Sequence, residues 1–325
     1  MSLSVILQQM GVIIILVAIG FYLQKKGTID ALTSKKLSAI VVDVCNPALI
    51  MASILSGNLT ATHKDLLVAI ALGAAFYFLL ILLGFVIPRI LRVQPDKRRF
   101  YNLMTVYTNT GFLGIPVAKA ILPANAILYV IVINVFYSLL FYTHGVTVLG
   151  RGNHSESADA SGSPKSGASL GHALLRILSP GTVMAMLSLV VFWYHVTLPP
   201  ILANTIEYVG NATVFLSMTL LGVSIARSNL WASLKDVRIW CYVILRMLLV
   251  PVGIVFLMRS LSFDPVAILA MCLMAAVPVG NLPMIQAEKI GEDTSILSSA
   301  IAVTTAVSVG TITILISVFS GMLGI

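Results

Sequence analysis

Long apolar stretches constrain this chain more than any other feature of its sequence. Of its 325 residues, 58% are hydrophobic and only 10% are charged, whereas soluble globular chains contain about 25% charged residues. A helix of about 20 apolar residues is long enough to cross the hydrocarbon core of a bilayer. The sequence therefore predicts an all-α, multi-pass membrane protein. Ten spans are predicted, at residues 3–24, 36–56, 66–87, 100–119, 124–148, 174–196, 200–225, 239–259, 265–287 and 296–320.

The distribution of Lys and Arg predicts how these spans are oriented. Counted from the N-terminus, sixteen basic residues lie at the odd connections between spans, and only Lys64, Lys119 and Arg259 lie at the even ones. Cytoplasmic connections carry the excess of basic residues, so both termini are expected outside and the odd connections in the cytoplasm of a cell that holds this chain in its inner (plasma) membrane. Because the net charge of +8 comes from these span ends, it does not indicate a nucleic-acid partner.

A Gly- and Ser-rich stretch divides the chain at residues 150–172. It has no apolar periodicity and predicts a flexible cytoplasmic linker. The halves on either side, residues 1–149 and 173–325, hold five spans each. Because five is odd, the halves enter the membrane in opposite orientations, which predicts two inverted five-helix repeats. Weak similarity between "VDVCNPALIMAS" in span 2 and "EYVGNATVFLSM" in span 7 supports this pairing.

Spans 4 and 9 are each interrupted by glycine and proline. Pro116 supplies no amide proton and Gly111 tolerates non-helical dihedrals, so span 4 is predicted to unwind within "YTNTGFLGIP". In span 9, "VPVGNLP" carries Pro278, Gly280 and Pro283. Unpaired backbone groups at membrane depth are tolerated only when they are buried in protein or line a wet cavity. Interruptions at corresponding positions of two halves are typical of a transporter binding site.

These interruptions have the chemistry of an anion site. If the two breaks meet, the half-helices that follow them present free amide groups and partial positive charge. Asn109, Thr110 and Asn281 add side-chain donors at the same places. The sequence therefore predicts that an anion binds where spans 4 and 9 are broken.

Three charged residues lie inside spans. Arg246 in span 8 costs at least about 2.5 kcal/mol to insert, so it needs a substrate carboxylate, a structural pair with Asp43 or Glu207, or a path to the interface. Asp43 and Glu207 are candidate proton carriers or cation ligands. Asn46 and Asn211 follow them by about one helical turn and place an amide oxygen on the same face, which suits a coupling sodium ion. Alternatively, Glu207 is solvated at the start of span 7.

Other classes of protein lack support in the sequence. No nucleophilic triad, HExxH or acidic phosphate motif lies in a span, and no Walker motif is present, so neither an enzyme nor direct coupling to ATP is predicted. The cysteines are interpreted as small core hydrophobes. No cofactor is expected beyond a coupling proton or sodium ion, and no metal site.

Four segments carry a resemblance to a known family. "NTGFLGIP" in span 4, "RMLLVP" in span 8, "PVGNLP" in span 9 and the following "AEKIGEDTSILSSA" resemble the auxin efflux carrier family, in particular its bacterial branch of malate and malonate permeases. The resemblance implies a fold similar to that of bile acid sodium symporters, with crossed, broken helices in spans 4 and 9. It also implies transport of organic carboxylates. The residues that match the family pattern are Asn109, Pro116, Arg246, Pro278, Gly280 and Pro283.

Together these observations predict a secondary active transporter of organic anions. Its substrate would be a mono- or dicarboxylate, malate- or malonate-like or auxin-like, bound at the crossing of spans 4 and 9 during alternating access. The alternatives are a sodium-coupled symporter of another amphipathic organic anion, such as a bile-acid-like solute, and a membrane sensor that transports nothing. The expected partners are the carboxylate and the lipid bilayer, and the sequence leaves a homodimer open.

Overall fold

In the computed structural model, residues 3–55, 60–150, 180–227 and 236–325 are described, and their regular structure is helical. Four π-helical turns lie at Val41–Cys45, Thr110–Gly114, Phe141–Gly145 and Ile244–Leu249. In chain order the α-helices are α1 (Leu3–Lys25), α2 (Ala31–Ile40), α3 (Asn46–Leu55), α4 (His63–Ile90), α5 (Arg98–Val106), α6 (Ile115–Ile121), α7 (Ala126–Leu140), α8 (Val146–Gly150), α9 (Pro180–Tyr194), α10 (Pro200–Arg227), α11 (Val237–Val243), α12 (Val250–Ser260), α13 (Pro265–Ala276), α14 (Leu282–Lys289) and α15 (Ser295–Leu323).

The lengths of these helices confirm a multi-pass, all-helical membrane protein. Among the described residues, seven helical segments are long and apolar enough to cross a bilayer: Leu7–Lys25, Ala31–Leu55, His63–Ile90, Ala126–Gly150, Pro200–Arg227, Val237–Ser260 and Ser295–Leu323. Shorter apolar helices, Thr110–Ile121, Pro180–Tyr194 and Pro265–Ala276, lie where spans 4, 6 and 9 are predicted. The ten-span inverted repeat stays a prediction. So does the central linker, since residues 151–179 lie outside the described residues.

Side-chain caps set where several helices begin. Thr62 and Asp65 form a capping box at the start of α4, in which each side chain binds the other residue's backbone amide. Asp30 caps α2 by accepting a hydrogen bond of 2.7 Å from the Thr33 amide. That bond lowers the pKa of the Asp30 carboxyl. Sharp starts of this kind fix the ends of the spans at the connections.

The spans pack into two groups. Spans 1, 2, 6 and 7, formed by α1, α2, α3, α9 and α10, contact one another extensively and are called the four-span bundle. The helices of spans 3, 4, 5, 8, 9 and 10 form the six-span bundle. Within the four-span bundle, a Cβ at Gly20 would overlap the Thr219 backbone, and one at Gly222 would overlap the backbone of Val17. Close contact between α1 and α10 therefore depends on glycine, as at many helix interfaces in membranes.

The hydrophobic core lies mainly in the six-span bundle. Every residue of α13 from Ala267 to Ala276 is buried, and α7 is buried along most of its length. By contrast, α1, α4 and α9 expose many large apolar side chains, as helices that face lipid do. The first half of span 9 is thus a central element, surrounded by protein on all sides.

Candidate functional site

The broken segments of spans 4 and 9 lie side by side. The helix of span 4 stops at Val106, and that of span 9 stops at Ala276. Beyond these ends, Thr108 and Val279 form an antiparallel β-bridge. The Asn109 amide donates to the Pro278 carbonyl at 2.8 Å, and the Gly280 amide donates to the Tyr107 carbonyl at 3.1 Å. Backbone groups released by each break therefore bind those of the other, which satisfies them away from water.

The lack of a side chain at Gly280 and a hydroxyl group from Thr304 both permit this crossover. A Cβ on Gly280 would lie 2.9 Å from the Thr108 carbonyl oxygen, so any side chain there would separate the two segments. The Val279 amide is free of the bridge and donates to the Thr304 hydroxyl of α15 at 3.2 Å. The crossover is therefore stabilised by span 10 as well as by the backbone hydrogen bonds between its own two segments.

The span 4 break turns back into helix through Asn109. The Asn109 side-chain oxygen accepts a hydrogen bond of 3.2 Å from the Phe112 amide, and its backbone carbonyl accepts one of 3.0 Å from Gly114. The Thr110 hydroxyl donates to the Asn134 side chain at 3.0 Å. Pro116 is buried at the second position of α6, where a missing amide proton costs nothing. Both predicted donors are therefore part of the structure that restarts the helix.

The span 9 break restarts in a similar way. Helix α14 begins at Leu282, and Pro283 is buried at its second position. The carbonyl of Asn281 accepts the hydrogen bond of the Ile285 amide at 3.0 Å. The predicted site residues Asn109, Thr110, Gly111, Pro116, Gly280, Asn281 and Pro283 all lie within the crossover or at the start of its two following half-helices.

A cavity of about 790 Å³ lies beside the crossover. Asn109 and Asn281 line the cavity where it meets the crossover. Lys35 and Arg227 also line it; both are exposed, and they lie close to the first and seventh connections. Among the described residues, none that lines the cavity is Asp or Glu. Its remaining lining is of two kinds. Small hydroxyl side chains come from Ser34, Ser38, Ser217, Ser224, Ser298 and Thr305, and large apolar ones from Phe112, Leu220, Leu221, Val223, Met284, Ile285 and Ile301.

Both bundles contribute to this cavity. Ser217, from α10 of the four-span bundle, is 1% exposed, and its hydroxyl has no hydrogen-bond partner among the described residues. The Asn46 side chain of the same bundle approaches the crossover, since its Nδ2 atom would lie 3.0 Å from a Cβ on Gly111. The cavity is therefore a gap between the two bundles with the crossover at one end.

The structure places Arg246 away from this cavity. Its guanidinium is 1% exposed, donates from Nε to the Thr105 carbonyl at 2.9 Å, and donates from Nη1 to the Ala275 carbonyl. No ion pair joins it to an acid within the described ranges. Backbone carbonyls at the ends of α5 and α13 thus take the place of the carboxylate partners that the sequence led us to expect. A backbone partner leaves no mark in the sequence.

The four candidate coupling residues differ in their surroundings. Asp43 and Glu207 are exposed and do not line the cavity. Asn46 lies against the crossover, and its Oδ1 atom is buried without a hydrogen-bond partner among the described residues. Asn211 accepts a hydrogen bond of 3.0 Å from Lys119 at the end of α6. No cluster of metal-ligating side chains is found in the part of the chain that the structure describes.

Several residues of the site were missed by the sequence analysis. Lys35 and Arg227 were counted only as indicators of topology, yet they line the cavity. Ser34 and Ser38 are four residues apart on α2, and Ser217 and Ser224 are seven apart on α10. Such spacing places hydroxyls on one helical face. A search for polar stripes on spans 2 and 7 would have found this part of the lining.

Comparison with known proteins identifies the family to which the chain belongs. No curated protein matches the chain significantly. A family model described as "Membrane transport protein" matches residues 5–316, a range that includes both halves of the crossover. Since the match covers nearly the whole chain, the protein belongs to this membrane transport family, that of the auxin efflux carriers.

Proposed function

We propose that this membrane transporter is a secondary transporter of organic carboxylates that binds its substrate at the crossover of spans 4 and 9. The observation that carries the proposal is the cavity between the bundles. Its lining includes Asn109, Asn281 and two basic side chains, and no acidic residue among those that the structure describes. A secondary transporter needs a site of this kind between two parts of the molecule that move against each other.

The electrostatics of the cavity favour an anion. The half-helices that begin at Thr110 and Leu282 start beside its inner end, and helix N-termini carry partial positive charge. The buried Ser217 hydroxyl, which has no partner in the part of the chain that the structure describes, supplies a further donor. Lys35 and Arg227 draw anions toward the cavity by raising their local concentration.

The lining also defines the body of the substrate. Phe112, Leu220 and Ile301 add apolar surface to a lining that also carries hydroxyl side chains. The volume of about 790 Å³ lies within the range of about 300–1,000 Å³ that is usual for small-molecule sites. A mono- or dicarboxylate with a partly apolar body, malate- or malonate-like or auxin-like, fits this combination of walls.

The two-bundle arrangement is compatible with alternating access. The cavity adjoins the first and seventh connections, which are odd and which we place in the cytoplasm. On the opposite side, Lys119 of the six-span bundle binds Asn211 of the four-span bundle. We propose that this contact opens when the six-span bundle moves against the four-span bundle. We also propose that transport is coupled to proton transfer at Asp43 or Glu207, and coupling to sodium is the alternative to be tested.

The test is a binding assay followed by flux measurements. Protein purified in detergent would be unfolded thermally in the presence of malate, malonate, succinate, lactate or indole-3-acetate, with and without sodium and at neutral and low pH. Stabilisation by particular carboxylates is expected, and Asn109→Ala should remove it. Asn204→Ala is the matched control, because Asn204 is exposed on α10 and does not line the cavity.

Two outcomes separate the proposal from its rivals. Carboxylates that stabilise the wild type and the Asn204→Ala variant, but not the Asn109→Ala variant, would justify flux assays in liposomes. If no carboxylate stabilises the wild type, while cations or neutral solutes do, the anion proposal is wrong.

A further inference from the structure

The most unusual group in the molecule is the guanidinium of Arg246. It lies in the π-helical turn Ile244–Leu249 of span 8 and is 1% exposed. Taking an ion out of water costs several kcal/mol unless it is paired, yet no Asp or Glu of the described ranges forms an ion pair with it. Its ionisable neighbours are Tyr77 and Tyr242, whose hydroxyls are neutral. The positive charge is therefore kept inside the protein without a carboxylate.

Two carbonyl partners offset part of the cost of burying the Arg246 charge, while its Nη2 atom is buried with no hydrogen-bond partner among the described residues. Nε donates to the carbonyl of Thr105, one residue before α5 ends at Val106. Nη1 donates to the carbonyl of Ala275, one residue before α13 ends at Ala276. The last four carbonyls of a helix have no partner within the helix, and they carry partial negative charge. One guanidinium thus binds the C-terminal ends of two helices at once.

Those two ends belong to the crossover. Helices α5 and α13 are the first halves of spans 4 and 9, and the β-bridge between Thr108 and Val279 begins a few residues beyond each. The crossover therefore brings two negative helix ends and two positive helix ends into a small volume. Without a cation at the negative ends, their potential would cancel much of the attraction that the positive ends exert on an anion.

We propose that Arg246 is a built-in counter-cation of the crossover. It neutralises the C-terminal ends of α5 and α13, so that the positive ends of the following half-helices face the cavity uncompensated. It also occupies the carbonyl oxygens that could otherwise hold a metal cation. Resting on the proposed carboxylate site, the inference adds that anion binding there requires no sodium or potassium ion. Arg246 is a positioning residue, since it does not line the cavity.

The experiment is chemical rescue. Arg246→Ala removes the guanidinium and leaves a space in which a free guanidinium ion can bind the same two carbonyls. The thermal unfolding midpoint of this variant would be measured in millimolar guanidinium chloride and in tetramethylammonium chloride, without any carboxylate. Met247→Ala is the control, because Met247 is equally buried in the same turn but packs against apolar neighbours. Arg246→Lys, which keeps the charge, is the conservative variant.

The inference expects a specific pattern. Guanidinium should raise the unfolding midpoint of Arg246→Ala and not that of Met247→Ala, whereas tetramethylammonium should raise neither. Carboxylate affinity should fall about tenfold or more in Arg246→Ala, a loss of the size expected for charge-assisted contacts. Guanidinium should restore most of that affinity, and Arg246→Lys should retain more of it than Arg246→Ala. Sodium should leave the wild-type affinity unchanged.

The inference and the proposed function fail in different ways. If guanidinium stabilises Arg246→Ala no more than Met247→Ala, the counter-cation role is wrong, whatever the wild type binds. Sodium-dependent carboxylate binding that survives intact in Arg246→Ala would also overturn it. If guanidinium rescues stability but no carboxylate binds the wild type, the counter-cation role stands and the carboxylate function falls.

Discussion

Gly280→Ala is predicted to open the crossover and abolish carboxylate binding. The added methyl group would lie 2.9 Å from the Thr108 carbonyl oxygen and 3.1 Å from that of Tyr107. Both neighbours are backbone atoms, which cannot turn away as a flexible side chain can. The two segments must therefore separate, and the hydrogen bonds of the bridge, 2.8 Å and 3.1 Å long, stretch or break.

The expected loss of stability follows from these contacts. A typical hydrogen bond contributes about 0.5–1.5 kcal/mol, and two are at risk. Overpacking of a tight site costs about 1–3 kcal/mol. The free energy of unfolding should thus fall by about 2–6 kcal/mol. That is a large part of the stability of about 5–15 kcal/mol that is usual for folded proteins.

Thermal unfolding in detergent, with and without a stabilising carboxylate, tests this prediction. Gly253→Ala in α12 is the matched control, because a Cβ at Gly253 would meet no atom within 4 Å. In a helix that change should be neutral or should stabilise by up to about 1 kcal/mol. If both variants unfold at the same temperature and both retain carboxylate binding, the close contact does not hold the crossover together.

Three further changes test the surroundings of the site. Arg99→Met removes the bidentate ion pair with Glu292, whose two bonds are 2.6 and 2.8 Å long, and should lower thermal stability. In a double-mutant cycle of Arg99 and Glu292, a coupling energy below about 0.2 kcal/mol would contradict a stabilising pair. Replacing Lys35 and Arg227 by Gln should weaken dicarboxylate binding more than monocarboxylate binding, most strongly at low salt, since exposed charges are screened; equal losses at all salt concentrations would contradict a role of charge. Lys119→Met should raise labelling of cysteines introduced on the side of Asn211, since it removes their hydrogen bond; unchanged labelling would exclude a gating contact.

The position of the helix breaks could be predicted because their cause is local. Pro116 and Pro283 lack amide protons whatever surrounds them, so the interruption is visible in the sequence itself. Both residues lie at the second position of a restarted helix. The donors Asn109 and Asn281 were found for the same reason, since they sit beside the breaks. Features that depend on one residue and its neighbours in the chain are the ones that sequence patterns reveal.

The partners of the charged residues could not be predicted because their cause is tertiary. Arg246 finds two carbonyls that exist as acceptors only where α5 and α13 end together. Any residue type presents a carbonyl, so no pattern marks the partner. Asp43 and Asn46 were expected on one face, but Asp43 is exposed while Asn46 lies against Gly111. The π-helical turn Val41–Cys45 contains Asp43 and ends directly before Asn46. It changes the angular spacing that these two residues would have in a regular helix.

The contacts of the crossover suggest how its two halves could move as one unit. Backbone hydrogen bonds join spans 4 and 9 at the bridge, and Arg246 joins the helices that precede it. On the side of the odd connections, Arg99 of span 4 binds both Glu292 and the Leu149 carbonyl at the end of span 5. All these contacts lie within the six-span bundle, whereas the Lys119 bond to Asn211 joins it to the four-span bundle. The bundles are also joined by the hydrogen bond of His63 to the Trp193 carbonyl at 2.9 Å and by packing of α1 against α15. We expect access to the site to change by movement between the bundles, with the backbone network of the crossover intact.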